Sequence, residues 1–155
     1  MSTLKAMAAG DIVVMHGPNL NLLGSREPHV YGTTTLADID AQLAAAAKAA
    51  GVGLRSLQTN SLAELVDAVH DAAGARGILV NPGAFTHFAW SLHDALAAVK
   101  VPAVEVHISN PAAREPWRHV SVLAPVVVGT VAGFGAASYL VAFDALMRHL
   151  SAARG

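Results

Sequence analysis

The chain has 155 residues, 54% of them hydrophobic and 14% charged, with a net charge of -1 and no cysteine. That length suits one domain with its own core, and the apolar balance points to a sheet covered on both faces or to surface lost between subunits. Near-neutral charge offers no electrostatic footprint for nucleic acid or an acidic membrane, and the missing cysteines exclude disulfides, thiol nucleophiles and thiolate metal sites, in keeping with a cytoplasmic protein.

Residues 1–10 carry one lysine and no apolar stretch of signal-peptide length, and are expected to form a flexible N-terminus. A strand-like run follows at Asp11–His16. Next comes a long glycine-punctuated connection, from Gly17-Pro18-Asn19 through Arg26-Glu27-Pro28 to Tyr31-Gly32. Connections of this length carrying amides, an arginine and a tyrosine become active-site lids. The alanine-rich stretch Thr35–Ala50 reads as a helix, capped by Thr34 or Thr35 and ended by Gly51. A strand is expected at Val52–Gln58, then a helix at Leu62–Ala73 opened by Asn60 or Ser61. A strand at Gly77–Asn81, a helix at Thr86–Val99 and a strand at Ala103–His107 complete the middle of the chain.

From Val122 to Phe143 there is no charged residue, which on length alone is enough to span a bilayer. Pro125 and the glycines at 129, 133 and 135 instead divide it into a Val-rich strand at Val126–Gly129, a turn and a helix over Gly133–Ala152. Continuous apolar strands alternating with helices predict a single α/β domain over residues 1–155, with a parallel sheet covered on both faces. Ligands bind such sheets beyond the carboxyl ends of the strands. Those positions are rich in chemistry: Asn19, Arg26 and Tyr31 after the first strand, Asn81-Pro82-Gly83-Ala84-Phe85-Thr86-His87 after the third, and Glu105 to Asn110, then Arg114 and Arg118, at the fourth.

Glu105 and His107 are two apart on a strand and so share a face. A carboxylate beside an imidazole orients the ring and favours its protonated form, making a general acid, with a structural ion pair as the competing reading. No His-Glu-x-x-His or compact ligand cluster argues for a metal. Tyr31 lies five residues after Arg26; a free phenol is only ~0.1% ionised at neutral pH, and lowering its pKa by two units takes about 2.7 kcal/mol. A guanidinium in a water-poor pocket supplies that magnitude, so the pair could form a tyrosinate base. Arg114 and Arg118, one helical turn apart around Pro116, could hold an anionic or polyhydroxylated ligand. Ser109 and its neighbouring amides offer a carboxylate cradle, while Asn19 and Asn81 are neutral donors for a substrate oxygen or a water. His87 either touches ligand or caps its helix. His16, His29, His70, His93, His119 and His149 carry no functional spacing, and Trp90 and Trp117 read as core or subunit contacts.

Together these blocks resemble the type II 3-dehydroquinate dehydratases, over nearly everything from Ile12 to Leu146. The lid is similar to that family's Asn-Gly-Pro-Asn-Leu-Asn-Leu-Leu-Gly…Arg-Glu-Pro…Tyr-Gly signature. Asn81-Pro82-Gly83-Ala84, Thr86-His87 and Asp94-Ala95-Leu96 resemble its second block. Glu105 to Asn110, with Ala113-Arg114-Glu115, Arg118 and Ser121, resembles its third. The resemblance implies a flavodoxin-like three-layer α/β sandwich with a five-stranded parallel sheet in the order 2-1-3-4-5. It implies anti elimination of water from 3-dehydroquinate without cofactor or metal. Tyr31, activated by Arg26, would be the base, Asn19 would hold a water near the enolate, and His107, oriented by Glu105, would be the acid. Asn81, His87, Ser109, Arg118 and the Ile108 backbone would bind substrate, with Arg114 touching the lid and Asp94 reaching a neighbouring subunit's site. A homododecamer built of trimers is implied as well.

The chain departs from that pattern at His16 for asparagine, Phe85 for tyrosine, His93 for arginine and Phe88-Ala89 for Thr-Ser. It also departs over Gln58 to Glu64, where Thr59-Asn60-Ser61-Leu62-Ala63 stands for Ser-Asn-His-Glu-Gly. Elimination α to a ketone needs a base, an enolate stabiliser and an acid. The alternative Schiff-base route needs a lysine, and Lys5, Lys48 and Lys100 all lie outside the motifs. A non-catalytic binding protein for a quinate-like acid is the second reading; a flavin or nucleotide binder is disfavoured because no Gly-x-Gly-x-x-Gly or P-loop follows a strand.

Overall fold

The structure, a computed structural model, describes residues 10–25 and 27–154. Arg26 and residues 1–9 of the expected flexible N-terminus lie outside the described residues. Five strands, β1 (Ile12–His16), β2 (Leu54–Gln58), β3 (Gly77–Asn81), β4 (Ala103–His107) and β5 (Gly129–Ala132), form one parallel sheet in the order β2-β1-β3-β4-β5. The order reverses between β1 and β3, which is where open α/β sheets place their ligands.

The apolar alternation of the strands decides which helix covers which face. Ile12, Val14, Leu79, Val104 and Val106 point to one side, against helices α2 (Leu36–Ala50) and α5 (Ala137–Ala152). Val13, Met15, Ile78, Val80 and Ala103 point to the other, against α3 (Leu62–Asp71) and α4 (Trp90–Val99). β1, β3 and β4 are buried along their whole length, the condition that parallel central strands require. In α2, Ile39, Leu43 and Ala47 recur every fourth residue and form the buried stripe. A capping box opens it, with the Thr35 hydroxyl accepting from the Asp38 N–H at 3.1 Å and the Asp38 carboxylate accepting from the Thr35 N–H at 3.0 Å. Ser61 caps α3 by a single hydrogen bond, its hydroxyl accepting from the Glu64 N–H at 3.2 Å.

Three boundaries differ from the sequence expectation by three residues or more, while β2 starts at Leu54 rather than Val52 and α3 ends at Asp71 rather than Ala73. The Val-rich run at 126–129 is not the last strand: Pro125 lies in a 3-10 turn over Ala124–Val126, and Val126 and Val127 pack against the α3–α4 side. Pairing with β4 starts at Gly129 opposite Val104, so β5 begins where the expected strand ends. The helix expected from Thr86 starts at Trp90, because residues Gly83–His87 form a 3-10 turn that draws the Thr86 hydroxyl onto Glu105 at 2.7 Å. The helix expected from Gly133 starts at Ala137, since Gly133 and Gly135 have φ of 96° and 63°, which no helix accepts. Among the described residues no helix is long and apolar enough to cross a membrane.

Candidate active site

A cleft of about 240 Å³ opens beyond the carboxyl ends of β1, β3 and β4. Its roof is the connection after β1, which contains a 3-10 turn at Leu20–Leu22 and a one-turn helix α1 at Pro28–Tyr31. Gly17 begins this roof where it crosses the turn after β3. A Cβ there would lie 2.8 Å from the Pro82 carbonyl carbon and oxygen, so only glycine allows the approach. Asn19, at φ 67°, turns the chain toward the cleft in a left-handed conformation that side chains other than glycine adopt reluctantly. Its N–H is held by the Asn60 side-chain oxygen at 2.9 Å, and Gln58 Nε2 donates to that oxygen at 3.1 Å and to the Gly17 carbonyl at 3.2 Å. The segment after β2 therefore anchors the base of the roof.

Tyr31 ends α1 and faces the cleft. Arg114 Nη1 donates to its hydroxyl at 3.0 Å and to the Ser109 hydroxyl at 3.2 Å, with the guanidinium 5.4 Å from the Tyr31 ring centroid. Negative charge developing on the Tyr31 oxygen would thus lie directly against a cation. Arg118 is held by Glu115 and lies 3.9 Å over the Trp117 ring, an arrangement that stiffens a side chain otherwise rich in rotamers. His87 caps no helix: its Nδ1 donates to the Val120 carbonyl at 2.7 Å and its ring packs edge-on against Trp117, leaving Nε2 for the cleft.

His107 also lines the cleft, with Glu105 beside it on β4. The Glu105 carboxylate is 0% exposed and meets three donors, His107 Nε2 at 2.5 Å and the Thr86 and Ser121 hydroxyls at 2.7 Å each. Burial pushes its carboxyl up, but the hydrogen bond and charge of His107 and the two hydroxyls outweigh that and hold it below its ordinary value. With Nε2 committed to Glu105, the nitrogen of His107 available to a ligand is Nδ1.

Asn19, Tyr31, Asn81, His87 and His107 line one cavity together with Ile108, Ser109, Arg114 and Arg118. Glu105 stands behind His107. Asp94 does not reach the cleft of its own chain: on α4 its side chain is 81% exposed and bonded to His93 Nδ1 at 3.0 Å. The position of Arg26 lies outside the described residues. Sequence reasoning missed Thr86 and Ser121 as the hydroxyls that hold Glu105, the Gln58–Asn60 anchor, and a buried line from Asn81 to His16; only the general rule that a buried carboxylate needs donors could have pointed to the first.

The chain is a doubly wound, flavodoxin-like α/β fold whose cleft, at the topological switch of its sheet, brings together a tyrosine–arginine pair and a carboxylate-backed imidazole, groups suited to proton transfer. The family model described as dehydroquinase class II matches residues 10–147. Over 141 residues the chain is 53% identical to the 3-dehydroquinate dehydratase of Ruegeria pomeroyi, covering 90% of this chain and 95% of the relative. It is 56% identical over 143 residues to that of Stenotrophomonas maltophilia K279a, covering 91% and 97%. The crystal structure of the type II dehydroquinase from Butyrivibrio crossotus matches with a TM-score of 0.87 and 38% identity, over 89% of this chain and 97% of that one. This chain belongs to the class II dehydroquinase family.

Proposed function

We propose that the whole chain, as one domain, is a 3-dehydroquinate dehydratase that removes water in the anti sense to give 3-dehydroshikimate, for a shikimate pathway or for quinate breakdown. The observation that carries this reading is a pair of groups in one cleft: a tyrosine hydroxyl hydrogen-bonded to Arg114 and a Glu105-bound imidazole. The relatives named 3-dehydroquinate dehydratase support the same chemistry.

Tyr31, as the phenolate, takes the proton α to the substrate ketone. Arg114 and Arg26 balance its charge before that step. The C–H electron pair becomes an enolate, whose oxygen is stabilised by neutral donors and a water held near Asn19. The enolate then collapses, the bond to the tertiary hydroxyl breaks, and His107 Nδ1 gives that oxygen a proton so that it leaves as water. One proton is taken and one is given, with no net redox change, so the elimination balances without a cofactor or metal. Asn81, His87, Ser109, Arg118 and the Ile108 backbone hold the substrate's carboxylate and hydroxyls.

The proposal extends to a cytoplasmic homododecamer of trimers, in which Asp94 serves a neighbouring subunit's site. The outward side chains of Asp94 and of Trp90, which is 62% exposed, support a subunit contact on this surface. The test is a pair of variants: Tyr31→Phe and His107→Ala should each abolish turnover of 3-dehydroquinate while retaining the wild-type circular dichroism spectrum. Retained turnover in either one overturns the assignment of that residue.

A further inference from the structure

Behind the cleft, four polar side chains from four elements form a hydrogen-bonded line, of which the proposed reaction uses only Asn81. Asp40 of α2 meets His16 Nε2 at 2.8 Å, His16 Nδ1 meets the Tyr139 hydroxyl at 2.9 Å, and Asn81 Nδ2 donates to the same hydroxyl at 2.9 Å. His16 is 0% exposed, Tyr139 1% and Asn81 3%. His16 and Asn81 project from the face of the sheet that α2 and α5 cover, Tyr139 meets them from α5, and of the line only Asn81 also lines the cleft.

One set of directions matches every donor in the line with an acceptor. The Gly83 backbone N–H donates to Asn81 Oδ1 at 3.1 Å, and a backbone N–H can only donate, so the amide nitrogen must face Tyr139. The Tyr139 oxygen accepts there. Burial pushes the Tyr139 hydroxyl far above its ordinary value, so it keeps its hydrogen and has one donor left, directed at His16 Nδ1. An Nδ1 that accepts carries no hydrogen; the ring hydrogen is therefore on Nε2, where the Asp40 carboxylate accepts it. Turning the Asn81 amide over would set two donors against each other at Gly83 and two acceptors in competition for one hydroxyl hydrogen.

We propose that His16 is a positioning residue, which with Asp40 and Tyr139 locks the Asn81 amide so that it presents its second Nδ2 hydrogen, a donor, to the ligand in the cleft. A free amide offers a ligand either an acceptor or a donor. The locked one selects an oxygen that accepts, such as a ketone, enolate or hydroxyl oxygen, and removes the ordering that binding would otherwise require. The inference rests on the cleft being the elimination site with Asn81 touching substrate.

The test measures kcat and KM for 3-dehydroquinate on the assembled protein, with His16→Leu, Tyr139→Phe, Asn81→Ala and the double variant His16→Leu with Asn81→Ala. His16→Leu and Tyr139→Phe should each lower kcat/KM about tenfold, the fold-change of one lost hydrogen bond. Added to Asn81→Ala, the His16→Leu change should cause no further loss, because its effect passes through the Asn81 amide. His16→Asn, whose Oδ1 can take the place of Nδ1 as acceptor, should recover most of the loss. Tyr139→Phe removes a single oxygen and carries the test alone if His16→Leu does not fold. Full additivity of His16→Leu and Asn81→Ala, or wild-type kcat/KM in Tyr139→Phe, overturns the proposal. Wild-type kinetics in Asn81→Ala overturns the placing of Asn81 at the substrate and this proposal with it, whereas a loss at Asn81 without coupling to His16 overturns this proposal alone.

Discussion

Replacing Glu105 by glutamine removes a charge and changes almost no volume, so its effect isolates what the carboxylate does. In the folded chain that carboxylate takes hydrogen bonds from His107 Nε2 at 2.5 Å and from the Thr86 and Ser121 hydroxyls at 2.7 Å. Glutamine must set an NH2 against one of these donors, and the negative charge beside the His107 ring is gone. A hydrogen bond to a charged group is worth about 1.5–3 kcal/mol, so kcat should fall about ten- to a hundredfold. Initial rates from the ultraviolet absorbance of the enone product measure this. Stability should fall too, by about 2–4 °C in Tm for each kcal/mol in a chain of this size. The pH dependence has a definite sign. The carboxyl of Glu105 is held below its ordinary value of 4.5, so its stabilisation is fully present above that pH and is lost as the pH falls through the lowered value. The Tm gap between wild type and Glu105→Gln should therefore narrow on acidification below pH 4.5. An unchanged kcat in Glu105→Gln would refute the claim that this carboxylate orients the acid.

Arg114→Ala removes the donor shared by the Tyr31 and Ser109 hydroxyls, and should lower kcat by about ten- to a hundredfold, the range for a charge-assisted bond. Arg114→Lys should recover part of that loss. Gly17→Ala drives a methyl group into the Pro82 carbonyl at 2.8 Å and should destabilise the fold by about 1–3 kcal/mol, read as a lower Tm. If Tyr31 is the base as proposed, His107→Ala should still exchange the substrate's α hydrogen for deuterium in heavy water without releasing product, whereas Tyr31→Phe should exchange nothing.

Much of this architecture is legible in the residues because local and global preferences agree. Buried strands such as Ile12–His16 and Gly77–Asn81 read as largely apolar runs, Thr35 marks the start of α2 by a hydroxyl that accepts from Asp38 N–H, and Gly51 marks its end by a left-handed conformation. The last strand departs from the sequence expectation for a physical reason: the three valines after Pro125 have strand propensity, yet Val126 and Val127 pack as core filler, Val128 is exposed, and registered pairing with β4 begins at Gly129. In the site, Glu105 and His107 could be read from a spacing of two, since strand alternation makes them neighbours. Arg114 and Tyr31 are 83 positions apart, and His16 and Tyr139 are 123 apart, so only the fold brings them together. His16 carried no functional spacing in the chain; its role comes from burial beside Asp40 of α2, which forces it to find partners for both ring nitrogens.

The most direct test of the account is the addition of 3-dehydroquinate to the purified wild-type protein while product absorbance is followed. The account predicts an immediate, enzyme-dependent rise in enone absorbance without any added cofactor. A folded protein that produces no such rise contradicts it.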